Sequence, residues 1–134
     1  MARILLVDDA VDLRNALVYA LQSEGHTVAA ADDGEQGMNL QRRFKADVLI
    51  TDIFMPNKDG IETIQEFKAA SPGARIVVMS ASNRLNSSTY LTIARELGVD
   101  EVLQKPFSIQ ELVEVVARLT PKQSSPSDGV KTED

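Results

Sequence analysis

The sequence of 134 residues contains no cysteine and only one histidine. The absence of cysteine excludes disulfide bonds, thiol catalysis and zinc sites built from thiolates. One histidine is too few for a histidine-based metal site, and it argues against a catalytic triad. No apolar stretch approaches the roughly 18 residues that indicate a membrane span. The first residues turn acidic at position 8 without a small-residue cleavage site, so we expect no secretory signal, no membrane partner and a cytoplasmic protein.

Positive charge is also scarce. The chain has 14 Lys and Arg against 20 Asp and Glu, which gives a formal net charge of −6. This balance argues against direct binding of nucleic acid, so a role on DNA would need another domain or a partner. The length is typical of one domain, which we place at residues 1–120. Residues 121–134 contain Val130 as their one aliphatic residue, so we expect a disordered tail or the start of a linker there.

Short apolar, β-branched runs alternate with segments of helical periodicity along the chain. This alternation predicts βαβ units, and therefore a parallel sheet covered by helices. The third run is apolar throughout 48–50, which is typical of a central strand covered on both faces. We expect strands at residues 3–7, 27–31, 47–51, 75–80 and 101–104.

The predicted helices have recognisable ends. Gly25 and Gly98 follow helical segments and favour the left-handed conformation that ends a helix. Asp33 and Ser108 are predicted N-caps, because glutamine or glutamate follows each of them three residues later. The fourth helix is predicted at residues 89–97.

Residues that can accept or bind a phosphoryl group lie at the ends of four predicted strands. Asp8 and Asp9 follow the first strand and Asp52 follows the third. Ser80 ends the fourth strand and Lys105 follows the fifth. Because ligands of open parallel sheets bind outside the carboxyl ends of the strands, we expect these side chains to converge.

Adjacent carboxylates suit a hard divalent cation. Mg²⁺ prefers oxygen ligands and commonly takes one or two protein carboxylates, and Mn²⁺ is an alternative. One of Asp8 and Asp9 has a competing interpretation, as the N-cap of the helix that begins near residue 10. The presence of Asp52 favours the metal-binding interpretation, because a partly desolvated carboxylate beside two others is tolerated only with a cation present. Lys105 alone is typical of a solvent-facing lysine, and its convergence with three acids favours a role in the site.

The segment DVLITDIFMPNKDG at 47–60 resembles the phospho-acceptor segment of two-component response-regulator receiver domains. The resemblance covers residues 2–119 and implies an α/β fold: a flavodoxin-like, doubly wound, five-stranded parallel sheet with strand order 2-1-3-4-5 and five helices. Its other parts follow in order as Asp8-Asp9, Ser80-Ala81 and Lys105-Pro106-Phe107.

The resemblance implies a role for each matching residue. Asp52 would accept a phosphoryl group from a sensor histidine kinase or a histidine phosphotransfer protein. Mg²⁺ would bind Asp8, Asp9, Asp52 and the backbone carbonyl of Phe54, while Ser80 and Lys105 would bind the phosphoryl oxygens. The chain would then be a signalling switch, monomeric or dimerising on phosphorylation, that catalyses only its own phosphorylation and dephosphorylation.

Other positions concern loop geometry and the lifetime of the phosphoryl group. The resemblance implies a cis peptide bond before Pro106, and Gly60 is expected to relieve crowding near the site. Phe54 and Ser82 occupy positions that tune dephosphorylation in the family. Because Phe54 is apolar and cannot orient an attacking water, we expect slow self-dephosphorylation. Val102 stands where receivers commonly carry an aromatic switch residue, which leaves the mode of output open.

Three other functional classes are weaker. An aspartyl-nucleophile phosphohydrolase would need a second acid two residues after Asp52, where Phe54 stands. A flavodoxin-like nucleotide-binding protein would need glycines in the first strand-to-helix turn, which is acidic here. A purely structural interaction domain would leave the complete set of acids without a role.

Overall fold

The computed structural model of the chain describes residues 1–53, 60–81 and 87–120, and for residues 87, 88 and 90 it describes the backbone alone. Within these residues strands and helices alternate as the sequence predicts. The strands are β1 Arg3–Val7, β2 Thr27–Ala31, β3 Val48–Asp52, β4 Arg75–Ala81 and β5 Glu101–Lys105. The helices are α1 Val11–Ser23, α2 Gly34–Phe44, α3 Gly60–Ala70, α4 Ser87–Glu96 and α5 Ile109–Leu119.

The sheet is parallel throughout, with strand order β2-β1-β3-β4-β5. This confirms the predicted fold class and strand order. The helices lie on both faces: α1 contacts α5 on one face, and α3 contacts both α2 and α4 on the other. The order reverses between β1 and β3, and ligands of such sheets bind at this switch point.

Strand β3 is the centre of the core, as predicted. All five of its residues are buried, because helices cover both faces of the sheet. Its side chains alternate between two apolar clusters. Ile50 packs with Leu17 and Leu112 on the face of α1 and α5, and Leu49 packs with Phe67 on the opposite face.

The helix ends agree with their sequence signals. The Asp33 carboxylate accepts a hydrogen bond from the amide of Gln36, and Ser108 forms a complete capping box with Glu111. Gly25 and Gly98 adopt φ of +95° and +90°. Such left-handed positions favour glycine, which has no Cβ to clash.

The structure also corrects some of the predicted boundaries. Strands β3, β4 and β5 each end one residue later than predicted, because Asp52 pairs with Met79 and Ala81 pairs with Lys105 in the ladders, and β3 also begins one residue later, at Val48. Asp52 and Lys105 are therefore the last residues of their strands rather than the first residues beyond them. Helix α4 begins two residues earlier than predicted, at residue 87.

Two local features of α2 could not be read from the sequence. The helix ends at Lys45, which adopts the left-handed conformation with φ of 55°. Gln41 is buried, and its side-chain oxygen accepts a hydrogen bond of 2.9 Å from the amide of Ala46. Its side-chain nitrogen donates to the hydroxyl of Ser71, 3.2 Å away, so a polar side chain ties α2 to the end of α3.

None of the helices in the described ranges is both long enough and apolar enough to cross a membrane. Residues 121–134, for which we predicted a tail, lie outside the described residues.

Candidate functional site

The carboxyl ends of β1, β3 and β5 meet in one place. Lys105 Nζ lies 2.8 Å from Asp52 Oδ2 and 3.6 Å from Asp8 Oδ2. Strand β4 separates β3 from β5 in the sheet, so the lysine side chain reaches across the end of β4 to contact the acids. The sequence-predicted convergence of Asp8, Asp52 and Lys105 is therefore present in the structure.

Asp8, Asp9 and Asp52 form an acidic cluster. One carboxylate oxygen of each residue lies within 4.8 Å of those of the other two. Asp8 is fully buried and Asp52 is 7% exposed, whereas Asp9 is exposed. Two carboxylates of the cluster are thus buried, and the third is open to solvent.

Asp8 is held from several directions. Its amide donates to the carbonyl of Ala31 over 3.1 Å, and its Oδ1 accepts from the amide of Ala10 over 2.9 Å. Its own carbonyl accepts a hydrogen bond of 2.8 Å from the Arg14 guanidinium. Within the described part of the chain Oδ2 has no hydrogen-bond partner, and its distance to Lys105 is too long for one. A buried carboxylate oxygen without a donor is well suited to a cation.

The electrostatics of Asp8 point the same way. Burial raises the pKa of the Asp8 carboxyl above its ordinary range, because desolvation disfavours the charged form. The hydrogen bond from Ala10 and the charge of Lys105 act against this, while the charges of Asp52 and Asp9 add to it. The carboxylate charge is thus incompletely balanced by the protein's own groups, which is the condition for binding a cation.

The surroundings of Lys105 favour its charged form. Burial by itself would lower the pKa of the Lys105 ammonium. The hydrogen bond and charge of Asp52, together with the charge of Asp8, outweigh burial, and the pKa is raised above its ordinary value. Lys105 is therefore a permanent cation at neutral pH, directed at Asp52. The peptide bond between Lys105 and Pro106 is cis.

Ser80 contributes a hydroxyl that is fully buried. It follows Met79, the residue that pairs with Asp52 in the β3–β4 ladder, and it pairs with Gln104 of β5. No hydrogen bond satisfies its Oγ in the part of the chain that the structure describes. A buried hydroxyl with an unused donor is costly, so a ligand oxygen beside it would be stabilised.

Gly60 packs against the backbone around Asp52. A Cβ at this position would lie 2.6 Å from the carbonyl oxygen of Asp52 and 2.6 Å from the Cα of Ile53. The Gly60 amide also donates to the carbonyl of Ile53 over 2.9 Å. The first residue of α3 therefore supports the end of β3 directly. Phe54 and Ser82, the two positions predicted to tune dephosphorylation, lie outside the described residues.

Sequence reasoning assigned no role to Arg14, whose side chain contacts the backbone of Asp8. A signal was present in the sequence: Arg14 stands in the first turns of α1, where the helix dipole disfavours a cation. A basic residue at such a position indicates a compensating partner elsewhere, which the structure identifies as Asp32.

Comparison with known proteins gives one consistent result. The sequence matches the family described as the response regulator receiver domain over residues 4–117. It is 37% identical over 131 residues to the DNA-binding transcriptional regulator NtrC of Azospirillum brasilense, covering 95% of this chain and 27% of that protein. It is 32% identical over 120 residues to the protein CcdB of Bacillus subtilis, covering 89% of this chain and 98% of CcdB.

Several other curated relatives are also longer than the chain. With the transcriptional regulatory protein CpxR of Escherichia coli K12, for example, the match is 36% identical over 113 residues and covers 84% of this chain but 47% of CpxR. The chain thus spans between about a quarter and about half of the length of the first curated relatives that it matches.

Solved structures agree with the family match. The N-terminal domain of an uncharacterized protein from Wolinella succinogenes superposes with a TM-score of 0.81 at 34% identity, over 89% of this chain and 94% of that one. The chemotaxis protein CheY4 of Vibrio cholerae superposes with a TM-score of 0.79 at 25% identity, over 90% of this chain and 99% of that one.

Proposed function

The chain belongs to the response regulator receiver domain family, whose members are signalling switches of two-component systems, and from this premise we propose that Asp52 is its phospho-acceptor. In this proposal Asp52 takes a phosphoryl group from a phosphohistidine, carried by a sensor histidine kinase or a histidine phosphotransfer protein. The reaction depends on Mg²⁺ and switches a protein-interaction surface.

The observation that carries the proposal is the surroundings of the Asp52 carboxylate. It lies at the end of the central strand, hydrogen-bonded to Lys105 over 2.8 Å and grouped with Asp8 and Asp9. A carboxylate oxygen can attack phosphorus to form an acyl phosphate. The bond between phosphorus and the donor histidine nitrogen breaks, and its electron pair stays on the imidazole, which takes up a proton. The protein supplies positioning and charge neutralisation, the main requirements of phosphoryl transfer.

The residues present fit a hard divalent cation. The buried Asp8 Oδ2 has no hydrogen-bond donor in the described chain, and Asp9 and Asp52 supply two further carboxylates. Asp8, Asp9 and Asp52 would hold Mg²⁺ together with the backbone carbonyl of Phe54, which the family resemblance assigns; Mn²⁺ satisfies the same oxygen ligands. Bound there, the ion would offset the negative charge of the acids and of the incoming phosphoryl group.

Lys105 and Ser80 are suited to bind the phosphoryl oxygens. Three carboxylates with Mg²⁺ and one ammonium are close to neutral, and the phosphoryl group then adds negative charge and strong acceptor oxygens. Ser80 has an unused hydroxyl donor at the end of β4. A hydrogen bond from Ser80 to the new oxygens would shift the segment between β4 and α4, so a local change in charge would alter the surface that α4 presents.

The proposed partners follow from the proposed transfer of a phosphoryl group to Asp52. The phosphoryl donor is a histidine kinase or phosphotransfer protein, and the effector is a protein that binds the altered surface. The domain acts as a monomer or as a dimer formed on phosphorylation. The net charge of −6 supports a role without direct contact to nucleic acid.

The test is chemical. The protein is incubated with acetyl phosphate and Mg²⁺, and a hydroxylamine-labile adduct of one phosphoryl group is mapped by mass spectrometry. We expect the adduct on Asp52, and its absence from Asp52→Asn. Asp47→Asn is the matched control, because Asp47 precedes the same strand at its opposite end. An adduct that persists in Asp52→Asn would contradict the proposal. Sustained hydrolysis of a phosphomonoester over many turnovers would instead identify a phosphohydrolase.

A further inference from the structure

We infer that Arg14 is a positioning residue for the metal site, acting through the backbone of Asp8; this rests on the proposed function. The Arg14 guanidinium donates a hydrogen bond of 2.8 Å to the carbonyl oxygen of Asp8. The same nitrogen pairs with the carboxylate of Asp32, the residue that follows β2. A single side chain thus links α1 to the loops after β1 and β2.

The link is anchored at its far end. Asp32 Oδ2 lies 3.4 Å from the side-chain nitrogen of Gln36, and the Asp32 amide donates to the side-chain oxygen of Gln36 over 3.0 Å. Gln36 belongs to the first turn of α2, whose N-cap is Asp33. The Asp32 side chain is 56% exposed, but these two contacts with Gln36 connect it to the first turn of α2.

Burial separates this arginine from the other ion-paired arginines that the structure describes. The Arg14 side chain is 14% exposed, whereas those of Arg75 and Arg118 are 52% and 60% exposed. Arg14 also stands near the start of α1, where a cation is unfavourable for the helix dipole. Stabilisation of α1 does not explain its position, and the contacts with Asp8 and Asp32 do.

The consequence falls on the peptide between Asp8 and Asp9. The Asp8 carbonyl that Arg14 holds belongs to the same rigid peptide unit as the amide of Asp9. The Asp8 amide, which belongs to the preceding peptide unit, and the Asp8 Oδ1 are also bonded, so the peptide units on both sides of the Asp8 Cα and the side chain are all held. Asp8 Oδ2 and the Asp9 carboxylate are then directed to the ion before it binds. Groups that orient metal ligands in this way commonly change metal affinity by about 10- to 100-fold when they are removed.

Charge and position make opposite predictions for Arg14. If Arg14 acted only through its charge, its removal would make the site more negative and strengthen Mg²⁺ binding. If Arg14 positions the acids, its removal weakens Mg²⁺ binding. Whether Mg²⁺ affinity rises or falls therefore distinguishes the two roles. A general loss of stability does not explain a lower affinity if the variant remains folded.

The experiment measures the Kd for Mg²⁺ by isothermal titration calorimetry, with thermal unfolding as a check of the fold. We expect Arg14→Gln to raise the Kd by about tenfold, and Arg14→Lys, which keeps the charge and a donor, to recover part of the loss. The matched control is Arg75→Gln, which removes the same charge from the pair with Asp100 and should leave the Kd unchanged. With acetyl phosphate, Arg14→Gln should need more Mg²⁺ for half-maximal labelling, while its rate at saturating Mg²⁺ approaches that of the unmodified protein.

Each outcome decides one question. An Arg14→Gln protein that folds and binds Mg²⁺ as tightly as the unmodified protein, or more tightly, overturns the inference. If Arg14→Gln does not fold, Arg14→Lys decides, because it keeps the charge and loses the planar guanidinium that bonds to Asp8 and Asp32 together: a two- to threefold higher Kd (a rough expectation) supports the inference, and an unchanged Kd overturns it. If the unmodified protein itself binds no Mg²⁺, the proposed function fails rather than the role of Arg14.

Discussion

Replacing Asp8 with asparagine should make the metal-free protein more stable. Asp8 is fully buried, and the causes that raise the pKa of its carboxyl outweigh those that lower it. The charged form is therefore less favourable in the folded protein than in the unfolded chain. Asparagine keeps the oxygen that accepts the hydrogen bond from Ala10 and removes the charge.

The magnitude can be worked from the distances. The Asp8 and Asp52 carboxylate oxygens lie within 4.8 Å of each other, so at an effective dielectric constant of about 20 the two charges repel by at least about 3.5 kcal/mol, and the pair with Lys105 at 3.6 Å attracts by about 4.6 kcal/mol. These contributions of Asp52 and Lys105 nearly cancel. Desolvation of the carboxylate, which costs several kcal/mol in protein interiors, then decides the sign. We expect Asp8→Asn to raise the free energy of unfolding by about 1 to 2 kcal/mol, or Tm by about 4 to 8 °C for a domain of this size.

Mg²⁺ and pH should both change this difference. Because the pKa of Asp8 is raised in the folded state, the unmodified protein loses stability as the pH rises from about 3.9 through the raised value. The advantage of Asp8→Asn should therefore be absent in acid and present at neutral pH. Mg²⁺ at ten times its Kd should stabilise the unmodified protein by about 1.4 kcal/mol, and the variant by much less.

The assay is thermal and urea unfolding in EDTA and then in Mg²⁺. Asp9→Asn is the matched control, because Asp9 is exposed and its replacement should change the stability in EDTA by less than about 0.5 kcal/mol. A lower Tm for Asp8→Asn than for the unmodified protein in EDTA at pH 7 would refute the reasoning. It would mean that Lys105 already compensates the buried charge.

Three further predictions concern other parts of the fold. Lys45→Gly should stabilise the protein by about 0.5 to 1 kcal/mol in urea unfolding, because φ of 55° places a side chain in the left-handed region that glycine tolerates; a loss of stability would contradict this. Gly60→Ala should lower the free energy of unfolding by about 1 to 3 kcal/mol and slow phosphorylation of Asp52, because the added Cβ would lie 2.6 Å from backbone atoms. A variant as stable as the unmodified protein and phosphorylated as fast would show that the backbone adjusts without cost. Phe54→Asn should speed the loss of phosphoryl label from the purified protein, because a polar side chain two residues after Asp52 can orient water, and unchanged decay would remove Phe54 from this role.

Much of the fold follows from sequence pattern alone. The apolar run of β3 and the alternation of strand and helix segments identify a parallel sheet, and the topology then brings Asp8, Asp52 and Lys105 to one edge. The prediction works because strand ends in a parallel sheet share a direction, so residues distant in sequence can be placed together without knowledge of their contacts.

The features that the sequence did not reveal depend on tertiary contacts. The link from Arg14 to Asp32 joins two loops whose separation is known only once α1 and α2 are packed. The left-handed Lys45 and the buried Gln41 oppose local preferences, since lysine has a Cβ and glutamine is usually exposed. Each is tolerated because neighbouring backbone groups provide hydrogen bonds, which a periodicity argument does not include.

The burial of β3 on both faces determines where the domain can move. Amide protons of this strand should exchange with deuterium only when the whole domain opens, because every residue of β3 is buried and the strand is paired on both sides. Strand β5 lies at the edge of the sheet, and brief local openings suffice to expose its amides. The proposed acceptor therefore lies on a central, fully buried strand and Lys105 on an edge strand, so we expect Lys105 to move more than Asp52 when the bond between them breaks.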